Sequence, residues 1–265
     1  MLSELLPKDE VHLWLLPEDE RMLEALAAAG QHVISPAERK RLHSFRSPLA
    51  GRRFLIQRVL LRRGLAHYLG VEPGRLELTH EPDGKPILNY PSNPELAFNL
   101  SHCGAAAVLA VARGGHLGVD LESVDRAGTA LKISRRLFSD AERQRLSRCG
   151  NTAGTEALKL WVLKESIVKA LGNTVWDGLS RVEISLEDAE IGWAAAPPEG
   201  KEKDWTLMLG ELRGTHLVAV ARNVAADKFA PYRWRTRTLG TGYATDGDLD
   251  LLLTSAPPRN EPVPL

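Results

Sequence analysis

Cysteine is almost absent: Cys103 and Cys149 are the only 2 in 265 residues. Two thiols make no disulfide framework, so the fold has to rest on an apolar core, with both cysteines reduced. Cys103 follows His102 directly, but adjacent strand residues point to opposite faces, which argues against a Cys–His dyad. No apolar run reaches the ~18 residues of a membrane span. The opening Met1-Leu2-Ser3-Glu4-Leu5-Leu6-Pro7-Lys8-Asp9-Glu10 also lacks the basic-then-apolar order of a secretory signal. A cytoplasmic protein without membrane contact is expected. Net charge is missing too, since 34 basic side chains balance 34 acidic ones. With 43% hydrophobic and 26% charged residues the chain is globular, and its length suits one large or two small domains.

Neutrality overall hides a local excess. Between Ser35 and Leu65 stand nine Lys or Arg residues against one acid, Glu38. Ser35-Pro36-Ala37-Glu38 is a capping box with proline in the first turn, so a helix starts there. A second helix follows, because Phe54, Leu55, Val59, Leu61 and Leu65 recur at helical spacing while arginines fill other faces. By itself such a run is a solvated helix face. Nucleic-acid binding finds no support, for the chain has no strand of interleaved aromatics and no recognition motif. A phosphate-rich small ligand fits arginine's bidentate grip better.

The acids are patterned more sharply. Gly114-Gly115 reads as a hairpin turn leading into Gly118-Val119-Asp120-Leu121-Glu122. Alternate strand residues share a face, so Asp120 and Glu122 project together. Two carboxylates that close repel and lose hydration unless a cation or a shared proton neutralises them. A third acid, Glu165, lies on the helical stretch Trp161–Lys169, with Lys169 one turn further on the same face. Three oxygen ligands on two elements suit one Mg²⁺. Each feature alone is a solvated strand edge or an ordinary helix pair contributing about 0.2–0.5 kcal/mol. Phe98-Asn99-Leu100-Ser101-His102, a strand ending in polar side chains suited to anchoring an anion, makes the combination specific.

The chain reads as two like halves. Val11–Leu16 opens the first as a strand, helices run to about Leu69, Leu76–Thr79 is a strand, Pro82-Asp83-Gly84 a turn, and a hairpin spans about Leu96 to Glu122. The pattern recurs from Ser134: Ser139-Asp140-Ala141-Glu142 caps one helix, a second covers about Thr155 to Leu171, and strands follow at Val182–Leu186 and Trp205–Ala221. Val108-Leu109-Ala110-Val111-Ala112-Arg113 echoes Leu217-Val218-Ala219-Val220-Ala221-Arg222. The expected fold class is α+β, as two pseudo-duplicated subdomains at 1–122 and 123–225, each a small antiparallel sheet with packed helices. Residues 226–265 read as a partly disordered C-terminal extension, ordered where Trp234 can pack and loose after Ala256.

Three blocks carry a family resemblance. They are Gly84-Lys85-Pro86 with Phe98-Asn99-Leu100-Ser101-His102, then Gly118-Val119-Asp120-Leu121-Glu122, then Phe138-Ser139…Glu142…Leu160-Trp161…Lys164-Glu165-Ser166…Lys169-Ala170. In order and spacing they resemble the 4′-phosphopantetheinyl transferases of the surfactin-synthetase-activating type. With the diffuse Arg52-Arg53-Phe54…Leu60-Leu61-Arg62 stretch the likeness covers roughly residues 35–172.

The resemblance implies a holo-acyl-carrier-protein-synthase type transferase, with coenzyme A (CoA) held between the halves as co-substrate. It implies Mg²⁺ on Asp120, Glu122 and Glu165, Glu165 as general base, and Lys169 at the leaving group. By the same analogy Arg46, Arg52, Arg53, Lys85, Ser101 and His102 contact CoA. The expected partner is an acyl- or peptidyl-carrier protein, and the expected state a monomer with internal pseudo-symmetry. Two other functions share these residues: a non-catalytic CoA or nucleotide binder, and a magnesium-dependent phosphohydrolase. One departure stands out. Gly172-Asn173-Thr174-Val175-Trp176 precedes Gly178-Leu179 where the family has a glycine pair and leucine sooner, which alters the expected carrier-facing loop.

Overall fold

The computed structural model describes residues 2–16, 19–80, 84–172, 179, 182–187, 190–224, 233–239 and 250–254. The first part of the chain forms α1 (Leu2–Leu5), β1 (Glu10–Leu15), α2 (Glu20–Gly30), α3 (Pro36–His43) and α4 (Pro48–Leu69). Then come β2 (Glu77–His80), β3 (Pro86–Tyr90), β4 (Leu96–Cys103), β5 (Ala106–Arg113) and β6 (His116–Ser123). Three helices follow, α5 (Ala127–Leu137), α6 (Asp140–Arg148) and α7 (Ala153–Ala170). The remainder is β7 (Ile184–Glu187), β8 (Glu190–Trp193), β9 (Trp205–Leu212), β10 (His216–Asn223), β11 (Arg233–Thr238) and β12 (Asp250–Thr254). Both expected capping boxes are present, Ser35 with Glu38 and Ser139 with Glu142, and Ser47 caps α4.

Two sheets carry the fold, in the orders β11-β1-β5-β4 and β6-β10-β9-β12-β8-β7, beside the small β2-β3 pair. Period-two alternation decides what each face buries. Val11, Leu13, Leu15, Val108 and Ala110 of the first sheet meet Val119, Leu121, Met208, Val218 and Val220 of the second in one cluster. The alternate residues turn outward: Trp14, Leu109 and Val111 pack with Leu55, Val59 and Leu60 of α4, and Leu207, Leu209, Ala219 and Ala221 with Leu163 and Ile167 of α7. The result is helices, sheet, sheet, helices, the two like α+β halves expected. Each fully buried valine or leucine contributes about 1.5–3 kcal/mol to that arrangement. The echoing segments Val108–Arg113 and Leu217–Arg222 occupy β5 and β10, interior strands of their respective sheets.

The Gly114-Gly115 turn is not a hairpin. Both glycines have positive φ, 69° and 76°, yet β6 ladders onto β10 from Ser123↔His216 to His116↔Asn223, and not onto β5. The turn is a corner that passes the chain from the first sheet to the second. It is pinned there by the buried Arg222, whose guanidinium donates to the carbonyls of Arg113 and of Gly114, the latter at 3.3 Å. A Cβ on Gly115 would come within 2.4 Å of the Asn223 carbonyl oxygen. Residues 116–122, read as the end of the first half, therefore hydrogen-bond with the second sheet.

Of the C-terminal segment, β11 pairs parallel to β1, while β12 runs antiparallel to β9 and meets β8. The Pro82-Asp83 turn, the departure at Asn173–Gly178, the packing of Trp234 and the stretch after Ala256 lie outside the described residues. Among the described residues no helix is long and apolar enough to cross a membrane.

Candidate active site

The site exists because α7 can lie directly on β6. Gly118 provides the room, since a Cβ there would sit 1.9 Å from the Ser166 carbonyl oxygen and 2.4 Å from the Ala170 nitrogen. Gly118, Asp120 and Glu122 share the helix-facing side of β6, with Val119 and Leu121 turned into the inter-sheet core. Lys169, one turn after Glu165, then reaches Asp120 at 2.6 Å. Ser101 of β4 completes the group: its Oγ donates to Asp120 Oδ1 at 3.0 Å and accepts from Lys169 Nζ at 3.1 Å. Asn99, two residues earlier on the same face, accepts the Val119 amide at 3.1 Å and stitches the edge of β4 to β6.

Around this centre, Arg126 Nη1 donates to both oxygens of Glu122, at 2.7 and 2.9 Å. Lys85 Nζ donates to the Lys169 carbonyl at 3.3 Å. An open pocket beside Lys169 is lined by Gly84, Lys85, Pro86, Asn99 and Leu100. Glu165 is 7% exposed, and burial, reinforced by the Asp120 charge and opposed by Lys169, raises its pKa to about 7. Burial works against a charged Lys169, but Asp120, Glu165 and Glu122 outweigh it and raise the ammonium's pKa. Desolvation, then the Lys169 and Arg58 charges, hold His102 below the usual imidazole range. Burial pushes the Cys103 thiol up, and its side chain packs toward the inter-sheet core while His102 is exposed. The two are not a dyad.

The structure thus gathers Ser101, Asp120 and Lys169 by direct bonds, with Lys85, Glu122, Glu165 and His102 about them. The basic segment divides differently. Arg52 is ion-paired with Glu20 of α2 at 2.5 Å, Arg46 is exposed on the α3–α4 connection, and Arg53 is half-buried. Arg62 is structural, donating to Glu38 at 2.7 Å and to the carbonyls of Pro73 and Leu76. The arginine whose charge reaches His102 is Arg58, which lies 5.5 Å from the Phe54 ring and meets His80 Nε2 at 3.3 Å. Sequence reasoning missed Arg58 because it sits beside Val59 in the apolar stripe. A charge inside such a stripe is itself the signal. Arg126 was missed as well: it lies four residues after Glu122, past the end of β6, where the chain turns back so that the two side chains meet.

Among the described residues no group of three His, Cys, Asp or Glu side chains is arranged to hold a metal ion. Lys169 and Arg126 neutralise two of the three acids instead. The donor set nevertheless fits a hard divalent cation: all its atoms are oxygens, and Asp120 Oδ2 is buried without a hydrogen-bond partner.

Paired acids with a lysine bonded to one of them, and Arg58 and His80 nearby, are what the structure brings together here. Comparison with known proteins names the class. Residues 116–221 match the model of the 4′-phosphopantetheinyl transferase superfamily, and residues 20–113 that of the 4′-phosphopantetheinyl transferase N-terminal domain. The 4′-phosphopantetheinyl transferase HetI of Nostoc sp. is 33% identical over 233 residues, which covers 86% of this chain and 91% of that protein. A phosphopantetheinyl transferase of Thraustochytrium sp. is 34% identical over 221 residues, 76% of this chain and 75% of that one. The 4′-phosphopantetheinyl transferase of Bacillus subtilis is 29% identical over 172 residues, 64% of this chain and 71% of that one. The chain belongs to the 4′-phosphopantetheinyl transferase superfamily.

Proposed function

We propose that this protein transfers the 4′-phosphopantetheine moiety of CoA to a serine hydroxyl of an acyl- or peptidyl-carrier protein and releases adenosine 3′,5′-bisphosphate. The observation that supports it is the Ser101–Asp120–Lys169 cluster with Glu165 beside it, in a chain of this family. The serine oxygen attacks the phosphorus that carries the pantetheine arm, and the bond from that phosphorus to the bisphosphate oxygen breaks. Glu165, with a pKa near 7, is poised to take the serine proton directly or through a water. Lys169 meets the charge that gathers on the departing phosphate.

Asp120, Glu122 and Glu165 are the residues to hold Mg²⁺, which when bound offsets the negative charge of the pyrophosphate. A carboxylate committed to a cation is a poorer base, so Glu165's two tasks compete. Lys85, Ser101, His102 and Arg58 are the nearest groups for CoA phosphates, with Arg46 and Arg53 further out along the basic segment. Two like halves in one chain suit a monomer.

Incubating the protein with CoA, Mg²⁺ and an apo carrier protein tests the proposal by mass spectrometry. The carrier gains one phosphopantetheine on serine. CoA bound without transfer makes the protein a binder. CoA cleaved with the carrier unchanged makes it a phosphohydrolase.

A further inference from the structure

Away from the cleft, Glu142 and Lys164 form an ion pair that solvent does not reach. They are 3% and 0% exposed, and Lys164 Nζ meets Glu142 Oε2 at 2.6 Å. The same carboxylate accepts the Ser139 amide at 2.9 Å and, through Oε1, the Ile184 amide at 3.2 Å. One side chain therefore ties together the start of α6, the middle of α7 and the start of β7. The Phe138 ring lies 4.6 Å from Lys164 Nζ on another side.

Stability is a weak reason for such a pair. Desolvating two charges offsets most of their attraction, and apolar residues of similar volume commonly do as well or better. Position is the stronger reason. Glu165 follows Lys164 directly, and at the next residue the Ser166 carbonyl rests on Gly118. This turn of α7 is held on one side by a charged bond to α6 and on the other by backbone contact with β6. Glu165 lies between the two fastenings. In the first half the capping-box glutamate Glu38 grips the buried Arg62 of α4 in the same way, at 2.7 Å, so the cation can be either lysine or arginine.

We propose that Glu142 and Lys164 are a positioning pair: they fix the rotation of α7 about its axis and so set the Glu165 carboxylate against Asp120 and Glu122, an inference that rests on the transferase function proposed above. Wild-type turnover on an apo carrier tests that function, and the variants, measured relative to wild type, test the pair.

The variants are Glu142→Gln, Lys164→Met, Lys164→Arg and the apolar double Glu142→Leu/Lys164→Met. For each, kcat, the Kd for CoA by calorimetry and Tm are measured. Glu142→Gln and Lys164→Met are expected to lower kcat at least tenfold with CoA Kd within twofold of wild type, and Lys164→Arg to regain most of the rate. The double variant is expected to recover Tm while staying slow, a split that a purely structural role does not give. Wild-type kcat in a double variant of wild-type Tm overturns the proposal. If the double variant does not fold, Glu142→Gln assayed well below its Tm decides, and unchanged kcat there overturns it equally.

Discussion

The Gly118 α-carbon lies so close to α7 that a methyl group on it would stand 1.9 Å from the Ser166 carbonyl oxygen. That atom is backbone in a packed helix and has no rotamer by which to yield. Gly118→Ala should therefore push α7 away from β6 and carry Glu165 and Lys169 with it. Overpacking of this kind costs about 1–3 kcal/mol of stability, and a displacement of order 1 Å at a reacting group costs roughly 10²-fold in rate. Tm and kcat/KM measured together check the point. An alanine variant with wild-type turnover would show that the helix–strand contact does not set the site.

The acids differ in what they hold, so their variants should differ too. Asp120→Asn keeps the shape of a buried side chain that bonds Lys169 and Ser101 but removes its charge, and transfer should be lost with the far-ultraviolet circular dichroism unchanged. Glu165→Gln should do the same. Glu122→Gln releases Arg126, an exposed partner whose pairing contributes about 0–1 kcal/mol, so its stability should hardly change while the Mg²⁺ needed for half-maximal rate rises. Turnover at limiting Mg²⁺ discriminates: wild-type behaviour in any one variant removes that residue from the ligand set.

Arg58 and Arg52 make a matched comparison six residues apart on α4. Arg52 is committed to Glu20, itself mostly exposed, whereas Arg58 lies beside His80 and its charge reaches His102. Arg58→Ala should weaken CoA binding by on the order of 1.5–3 kcal/mol, the size of a charge-assisted phosphate contact. It should barely affect dephospho-CoA, which lacks the 3′-phosphate. Arg52→Ala should leave both ligands alone. Calorimetric titration of the two ligands into the two variants checks this, and equal losses for both ligands would place the 3′-phosphate elsewhere.

Much of the site was legible because its signals are local. Asp120 and Glu122 share a face by strand period, Glu165 and Lys169 by helix period, and both capping boxes announce their helices. The sheet to which β6 belongs was not legible. Its partner β10 lies about a hundred residues on, and the choice between β5 and β10 is made by Arg222 and Gly115, neither of which carries a local pattern. Arg58 was hidden for the opposite reason. Its local pattern is that of a core helix, and only the fold brings His80 and His102 to it. The C-terminal strands were obscured likewise, since β11 and β12 are completed by β1 and β9, both distant in sequence.

A buried polar chain that the proposed chemistry does not use runs from Trp14 through Tyr68 and His12 to Glu10. Trp14 Nε1 donates to the Tyr68 hydroxyl at 2.8 Å, which leaves that hydroxyl's own proton for His12 Nδ1 at 2.7 Å. His12 is therefore the neutral tautomer that donates from Nε2 to Glu10 at 2.9 Å, and Arg235 of β11 meets the same carboxylate at 2.8 Å. Burial, opposed by the bond to Glu10 and helped by the Arg237 and Arg235 charges, lowers the His12 pKa. Burial acts the other way on Glu10, but His12 and Arg235 outweigh it and its pKa is lowered as well. Both folded-state values lie below the unfolded ones, so the stability they contribute is present above the ordinary His and Glu ranges and is lost as pH falls through the depressed values. Urea midpoints should fall on acidification, His12 acting from about pH 6.5 downward and Glu10 at lower pH. His67 and His80, also depressed by burial, and His102 add to the slope. In His12→Gln the fall between pH 7 and 5 should shrink by up to one proton's worth, at most ~1.4 kcal/mol per pH unit. An identical slope in wild type and variant would mean that His12 binds its proton as readily folded as unfolded, and that its burial contributes nothing to the acid sensitivity of the fold.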